Sequence, residues 1–197
     1  MKDRNVFFHK TLDKIRSCEH CIEFFPHGAR PVVQVNPAAK ILIAGQAPGA
    51  KVHATGIPFD DPSGDRLRAW MKIDKHAFYD ATKIAILPMG FCYPGTGKSG
   101  DLPPRKECAD LWRSQVLGLM PDIQLTLVIG QYAIAWHLPE IKKTSVTNAV
   151  KAWHSHWPTK IPLPHPSPRN NIWLKKNSWF EHEVIPSLQS RVKTILS

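Results

Sequence analysis

Lys40-Ile41-Leu42-Ile43-Ala44-Gly45-Gln46-Ala47-Pro48-Gly49 is a short unbroken apolar run that stops at a glycine and passes into a turn. A run of this length without polar alternation suits a strand covered on both faces. The pattern recurs in Lys83-Ile84-Ala85-Ile86-Leu87, halted by Pro88, and in Leu125-Thr126-Leu127-Val128-Ile129-Gly130. Ile161-Pro162-Leu163 reads as a short fourth strand leading into Pro164-His165-Pro166. Helical patterns separate these runs. Ser63 to Lys72 carries Leu67, Trp70 and Met71 on one side, with Ser63 as the candidate N-cap. Arg105 to Met120 spaces Leu111, Trp112, Gln115, Val116 and Leu119 helically, and Gln131 to His137 starts another helix. The stretch before Cys21 and the tail from Trp179 to Leu196 also read as helical, whereas Phe25–Pro37 and Gly90–Pro104 read as irregular connections. Strands alternating with helices predict an α/β fold: one three-layer α/β/α domain over residues 1–197, around a four-stranded parallel sheet. Ligands of such sheets bind beyond the carboxyl ends of the strands. The segments Gly45–Gly49, Pro88–Cys92 and His165–Asn170 are therefore expected to converge on one site.

Composition sets the limits around that frame. The 197 residues are 43% hydrophobic and 21% charged, an ordinary globular balance that excludes disordered and fibrous classes. No apolar run approaches the ~18 residues of a membrane span, and Met1-Lys2-Asp3-Arg4-Asn5-Val6 lacks the apolar centre of a signal peptide. A soluble, cytoplasmic protein is expected. The net charge of +10 favours polyanionic partners: nucleic acid, anionic lipid or a phosphorylated ligand.

Cys18, Cys21, Cys92 and Cys108 form a Cys-x2-Cys pair and two later, separate thiols. Disulfides are disfavoured in a reducing compartment, and four soft sulfurs suit zinc or an iron–sulfur cluster, although a chance pair plus two buried thiols is the plainer reading. Gly45–Gly49 lacks the Gly-Lys-Ser/Thr of a phosphate-binding loop, and no dinucleotide fingerprint follows it. Phe59 stands beside Asp60, Asp61 and Asp65, an arrangement that serves either a site stacking a planar base and activating water or a core aromatic before a helix N-terminus. His165 lies between Pro164 and Pro166, which restrict the backbone and aim the ring.

Taken in order, Gly45-Gln46-Ala47-Pro48-Gly49, Gly56-x-Pro58-Phe59 and His165-Pro166-Ser167-Pro168 resemble the two active-site motifs of the uracil-DNA glycosylase superfamily. The cysteine layout is similar to that of its iron–sulfur branches, and the resemblance runs from about Cys18 to Leu188. It implies a monofunctional DNA glycosylase, a hydrolase that flips a deaminated base out of DNA and cleaves its bond to the sugar in base-excision repair. It implies a [4Fe–4S] cluster on Cys18, Cys21, Cys92 and Cys108, with zinc as the alternative occupant. Phe59 would stack on the base and His165 would hydrogen-bond the leaving base. Gln46 and Ala47 would line the base edge, and Ser167, Arg169 and Asn170 would contact the substrate. Phe59-Asp60-Asp61-Pro62-Ser63 looks like a one-residue-shorter form of a Phe-x-Gly-Asp-x-Ser stretch in one branch, so Asp61 is the candidate to orient water, with Asp60 and Asp65 in reserve.

The chain departs from the family at Ala47, where many branches have aspartate or asparagine, and at Gln46, where a related branch has glutamate. It also has Pro88-Met89-Gly90-Phe91 where several branches place an asparagine that reads uracil. An inactive nucleic-acid-binding module on the same fold, or a zinc-stabilised domain with unrelated small-molecule chemistry, are the rival readings. A monomer acting on DNA is expected, with Lys51, Arg66, Arg68, Lys98, Arg105 and Arg169 as candidates to track phosphates.

Overall fold

The structure, a computed structural model, describes residues 2–98 and 100–197. Its centre is a parallel sheet of β1 (Ile41–Ala44), β2 (Ile84–Ile86), β5 (Leu125–Ile129) and β6 (Lys160–Leu163), in the order β2-β1-β5-β6. The four expected strands form with ends shifted by no more than one residue. Ile41 pairs in register with Ile84 on one side and Leu125 on the other, and Leu127 pairs with Ile161.

Side chains of successive strand residues point to opposite faces, so each apolar run feeds two cores. Ile41, Ile43, Ile84, Ile86, Leu127 and Ile129 meet Leu67, Trp70, Phe78, Phe180 and Leu188 on one face. Leu42, Ala85 and Leu87 meet Phe8, Leu12, Ile15, Val116 and Met120 on the other. Ala44 and Val128 meet Ala133 and Ile134. Each fully buried leucine or isoleucine contributes roughly 1.5–3 kcal/mol, which fixes the sheet between its helical layers.

The helices are α1 (Lys2–Arg16), α2 (Ala50–Thr55), α3 (Pro62–Met71), α4 (Lys75–Tyr79), α5 (Ser114–Gly118), α6 (Gly130–His137), α7 (Val146–Lys151), α8 (Asn171–Lys176) and α9 (Ile185–Leu196). Two expectations need correction. The N-cap of α3 is Asp61, whose Oδ1 accepts from the Gly64 N–H at 2.8 Å, and Pro62 occupies the first turn where its missing donor is harmless. The Gly90–Pro104 stretch is not wholly irregular, because β3 (Thr96–Gly97) and β4 (Gly100–Asp101) form an antiparallel hairpin within it. The helix before β5 opens at Glu107 and widens into a five-residue π-helix, Ala109–Arg113, directly after Cys108.

From β1 the chain steps outward to β2, then returns to the opposite side of β1 with β5. That reversal between β1 and β5 makes the carboxyl end of the sheet the place for a ligand crevice. Among the described residues no helix is long and apolar enough to cross a membrane.

Candidate active site

A cavity of about 460 Å³ opens at that end, within the range of small-ligand pockets. Gly45 to Val52 follow β1 into it, Pro58, Phe59, Asp61 and Ser63 enter before and within α3, Pro88 follows β2, and His165, Ser167, Arg169 and Asn170 follow β6. The three strand-end segments therefore converge, although Cys92 turns away from the cavity into a separate cluster with Cys21 and Phe25. Hydrogen bonds from Met89 N to Gly45 O and from Gly90 N to Gln46 O, both 2.9 Å, extend the β1–β2 pairing past Pro88.

Phe59 adopts a left-handed backbone, φ 56°, uncommon for a residue with a side chain. The turn it makes lays its carbonyl against Gly64, where any Cβ would collide with it. The tip of its ring stands 3.5 Å from where a Cβ on Gly45 would be, and Phe78 braces the ring edge-on at 6.2 Å. Gly64 thus makes room for the turn that sets one aromatic in the cavity wall, and Gly45 lies in contact distance of its ring.

Asp61 presents its carboxylate to the cavity with one oxygen tied to the α3 amide. Asp60 does not line the cavity, and Asp65 is spent on an ion pair with Arg68 at 2.6 Å. The geometry brings one of the three candidate aspartates to the site.

The His165 segment is heavily braced. Ser167 N–H donates to His165 Nδ1 at 3.2 Å, and the Asn170 side-chain amide donates to the His165 carbonyl at 2.7 Å. Arg66 donates to Ser167 O at 2.9 Å and to Asn171 Oδ1 at 2.7 Å. Burial pushes the His165 pKa below its ordinary value, while the Asp61 and Asp101 carboxylates pull the other way. Asn170 lines the cavity, but its amide group holds the histidine backbone in place.

The candidate phosphate contacts divide. Lys51 and Arg169 are exposed at the cavity, and Lys98 is exposed on the hairpin turn. Arg66 is committed to the histidine loop, Arg68 is buried beside Asp65 and Phe78, and Arg105 pairs with Glu107 and lies 3.9 Å over the Phe24 ring. For those three, internal partners claim the guanidinium. His154 and His156 lie outside the cavity lining, against Trp153 and Glu140.

Sequence reasoning missed two groups. Asp101 reaches the cavity from β4, and the signal for it was the Gly95, Gly97 and Gly100 spacing, which marks a hairpin. Arg113 is fully buried, donating to Leu87 O at 2.9 Å, to Pro88 O at 2.8 Å and to His137 Nε2 at 2.6 Å. Burial pushes its pKa down to about 9, and burial with the Arg113 and Lys160 charges keeps His137 neutral. No sequence signal distinguished this arginine from a surface one.

The four thiols come from three segments to one pole of the molecule. Cys21 and Cys92 pack with Phe25, Cys108 Sγ accepts from the Phe91 N–H at 3.4 Å, and all four cysteines are free. Burial raises Cys92 to about 12 and Cys108 to about 11, and the other thiols of the set push each further in the same direction. Among the described residues no three cysteine, histidine or acidic side chains are grouped as ligands of a single ion. The donor type, four soft sulfurs drawn from three segments, is the one that iron–sulfur clusters and zinc take. The family model of the uracil DNA glycosylase superfamily matches residues 32–189 of the chain.

Proposed function

The chain belongs to the uracil DNA glycosylase superfamily, and from that premise we propose that it is a monofunctional DNA N-glycosylase removing uracil or a related deaminated base. The observation that carries the reading is the meeting of Phe59, Asp61 and His165 in one cavity at the carboxyl end of the sheet. Such an enzyme must take the base out of the stack, hold its face and stabilise the charge it carries away. Phe59 supplies the face. With Nδ1 accepting from Ser167, the neutral His165 ring carries its proton on Nε2, a donor for the departing base.

As the sugar–base bond breaks, its electron pair leaves with the base nitrogen. A water oxygen bonds to the sugar carbon, and the proton that water loses passes to the Asp61 oxygen left free by the helix cap. Gln46 and Ala47 flank the base, while Ser167, Arg169 and Asn170 meet the DNA at the cavity rim. The exposed Lys51 and Arg169 suit phosphate contact.

Cys18, Cys21, Cys92 and Cys108 are assigned to a [4Fe–4S] cluster. These thiols would hold the chain before β1 to the segment after β2 through that group, whose contribution would be structural, with no proton or bond of the reaction passing through it.

The test is base release from oligonucleotides carrying uracil, hypoxanthine or xanthine, single-stranded and opposite each partner base. Release leaving abasic strands that break only in alkali supports the reading. Salt-sensitive binding with no release from any of them overturns it in favour of a binding module. Strand breakage without alkali overturns the monofunctional assignment.

A further inference from the structure

Asp101 approaches the cavity from the hairpin, a wall separate from the α3 terminus that bears Asp61. Its Oδ2 stands 3.5 Å from where a Cβ on Gly49 would be, an ordinary contact distance that sets the carboxylate beside the turn after β1. The hairpin is fixed at its base by Leu102 N to Gly95 O at 2.9 Å and by the paired Tyr93 and Thr96 hydroxyls. At its other side, Gly100, with φ +136°, lets the Arg169 guanidinium lie against its backbone. Among the described residues no hydrogen-bond donor or cation of the protein engages the Asp101 carboxylate.

An exposed, unpaired carboxylate at the mouth of a site for a polyanion opposes binding, and this protein otherwise carries a net charge of +10. The same charge becomes favourable only when positive charge develops beside it. On the glycosylase reading, that happens at the sugar as the base departs with the bonding electrons. Asp61, held by its cap, has one oxygen with a set direction, which suits orienting water. Asp101 lines the cavity with no such cap among the described residues.

We propose that Asp101 is a second catalytic carboxylate, facing the deoxyribose and stabilising the cationic sugar while Asp61 orients the water. This rests on the glycosylase reading and adds a division of labour between two acids. Charge placed where it meets the transition state lowers the barrier without tightening ground-state binding.

The experiment compares wild type, Asp101→Asn and Asp101→Glu in single-turnover base release and in equilibrium binding to the same uracil-containing oligonucleotide. Asp101→Asn is expected to lose about 100-fold in rate while binding DNA several-fold more tightly, with Asp101→Glu recovering part of the rate. An unchanged rate overturns the proposal while leaving the glycosylase reading standing. Rate and affinity falling together, with a lowered urea midpoint, overturns it in favour of a structural hairpin residue. A wild type inert on every base overturns both.

Discussion

The backbone N–H of Ser167 donates to Nδ1 of His165 at 3.2 Å, which directs the proton of the neutral ring to Nε2. The ring stays neutral to lower pH than a free histidine, since burial lowers its pKa from 6.5 and outweighs the Asp61 and Asp101 charges. The folded state therefore binds this proton later than the unfolded chain does. Its contribution to stability falls as pH drops below about 6.5 and levels off beneath the folded pKa. The expected pH–rate profile is flat through 6.5 on its acid side, and the His165 ring resonances titrate below that value. Titration above 6.5 contradicts the assignment. His165→Ala should slow base release by about 100-fold or more with the fold retained.

Asp61 serves the helix and the cavity with different oxygens, and two substitutions separate the duties. Asparagine caps helices about as well as aspartate, so Asp61→Asn should stay within about 0.5 kcal/mol of wild type while base release falls about 100-fold. Asp61→Ala should lose the rate and about 1 kcal/mol besides. Equal losses of stability in both variants would detach the rate effect from the missing charge.

Gly64 has no room for a side chain, because a Cβ there runs into the Phe59 carbonyl. Gly64→Ala should cost about 1–3 kcal/mol in urea unfolding and weaken activity further, by displacing Phe59 from the cavity wall. A neutral Gly64→Ala would mean that the left-handed turn at Phe59 relaxes freely.

Arg113 holds two successive carbonyls behind the cavity wall. Arg113→Met relieves a buried charge but leaves Leu87 O and Pro88 O without their donor. The unpaired carbonyls dominate, and the net loss should be about 2 kcal/mol by denaturant titration. Arg113→Lys should fare no better, since a compact ammonium does not span both carbonyls and the His137 ring.

At the thiol pole, protein purified without oxygen should be brown and contain iron and acid-labile sulfide in equal amounts. Cys92→Ser or Cys108→Ser should lose both. Stoichiometric zinc without sulfide would replace the cluster assignment with a zinc site.

The sheet was legible because its strands are short runs dominated by Ile, Leu, Val and Ala, interrupted only by Thr126 and Pro162 and followed by glycine or proline. Once the sheet was placed, chain order brought the Gly45, Pro88 and His165 segments to one end. Asp101 was hidden because a hairpin of two-residue strands has too few side chains to show a period. The Asp61 cap was masked by Ser63, an equally good capping residue two positions on. Arg66, Arg68 and Arg105 read as surface cations because only tertiary contacts reveal the carbonyls, carboxylates and rings that occupy them.

Leu87 to Phe91 follow their path through main-chain groups. Leu87 N, Met89 N and Gly90 N bond to the β1 strand and its extension, Phe91 N to Cys108 Sγ, and the Leu87 and Pro88 carbonyls to Arg113. The Pro88 side chain, which alone of these residues lines the cavity, carries none of those bonds. Gly90 has no such freedom, since a Cβ there would meet Pro104 at 2.9 Å. Position 88 is thus an interchangeable tooth on a fixed jaw. On the glycosylase reading, a change there alters the pocket edge that meets the base without redrawing the backbone that presents it.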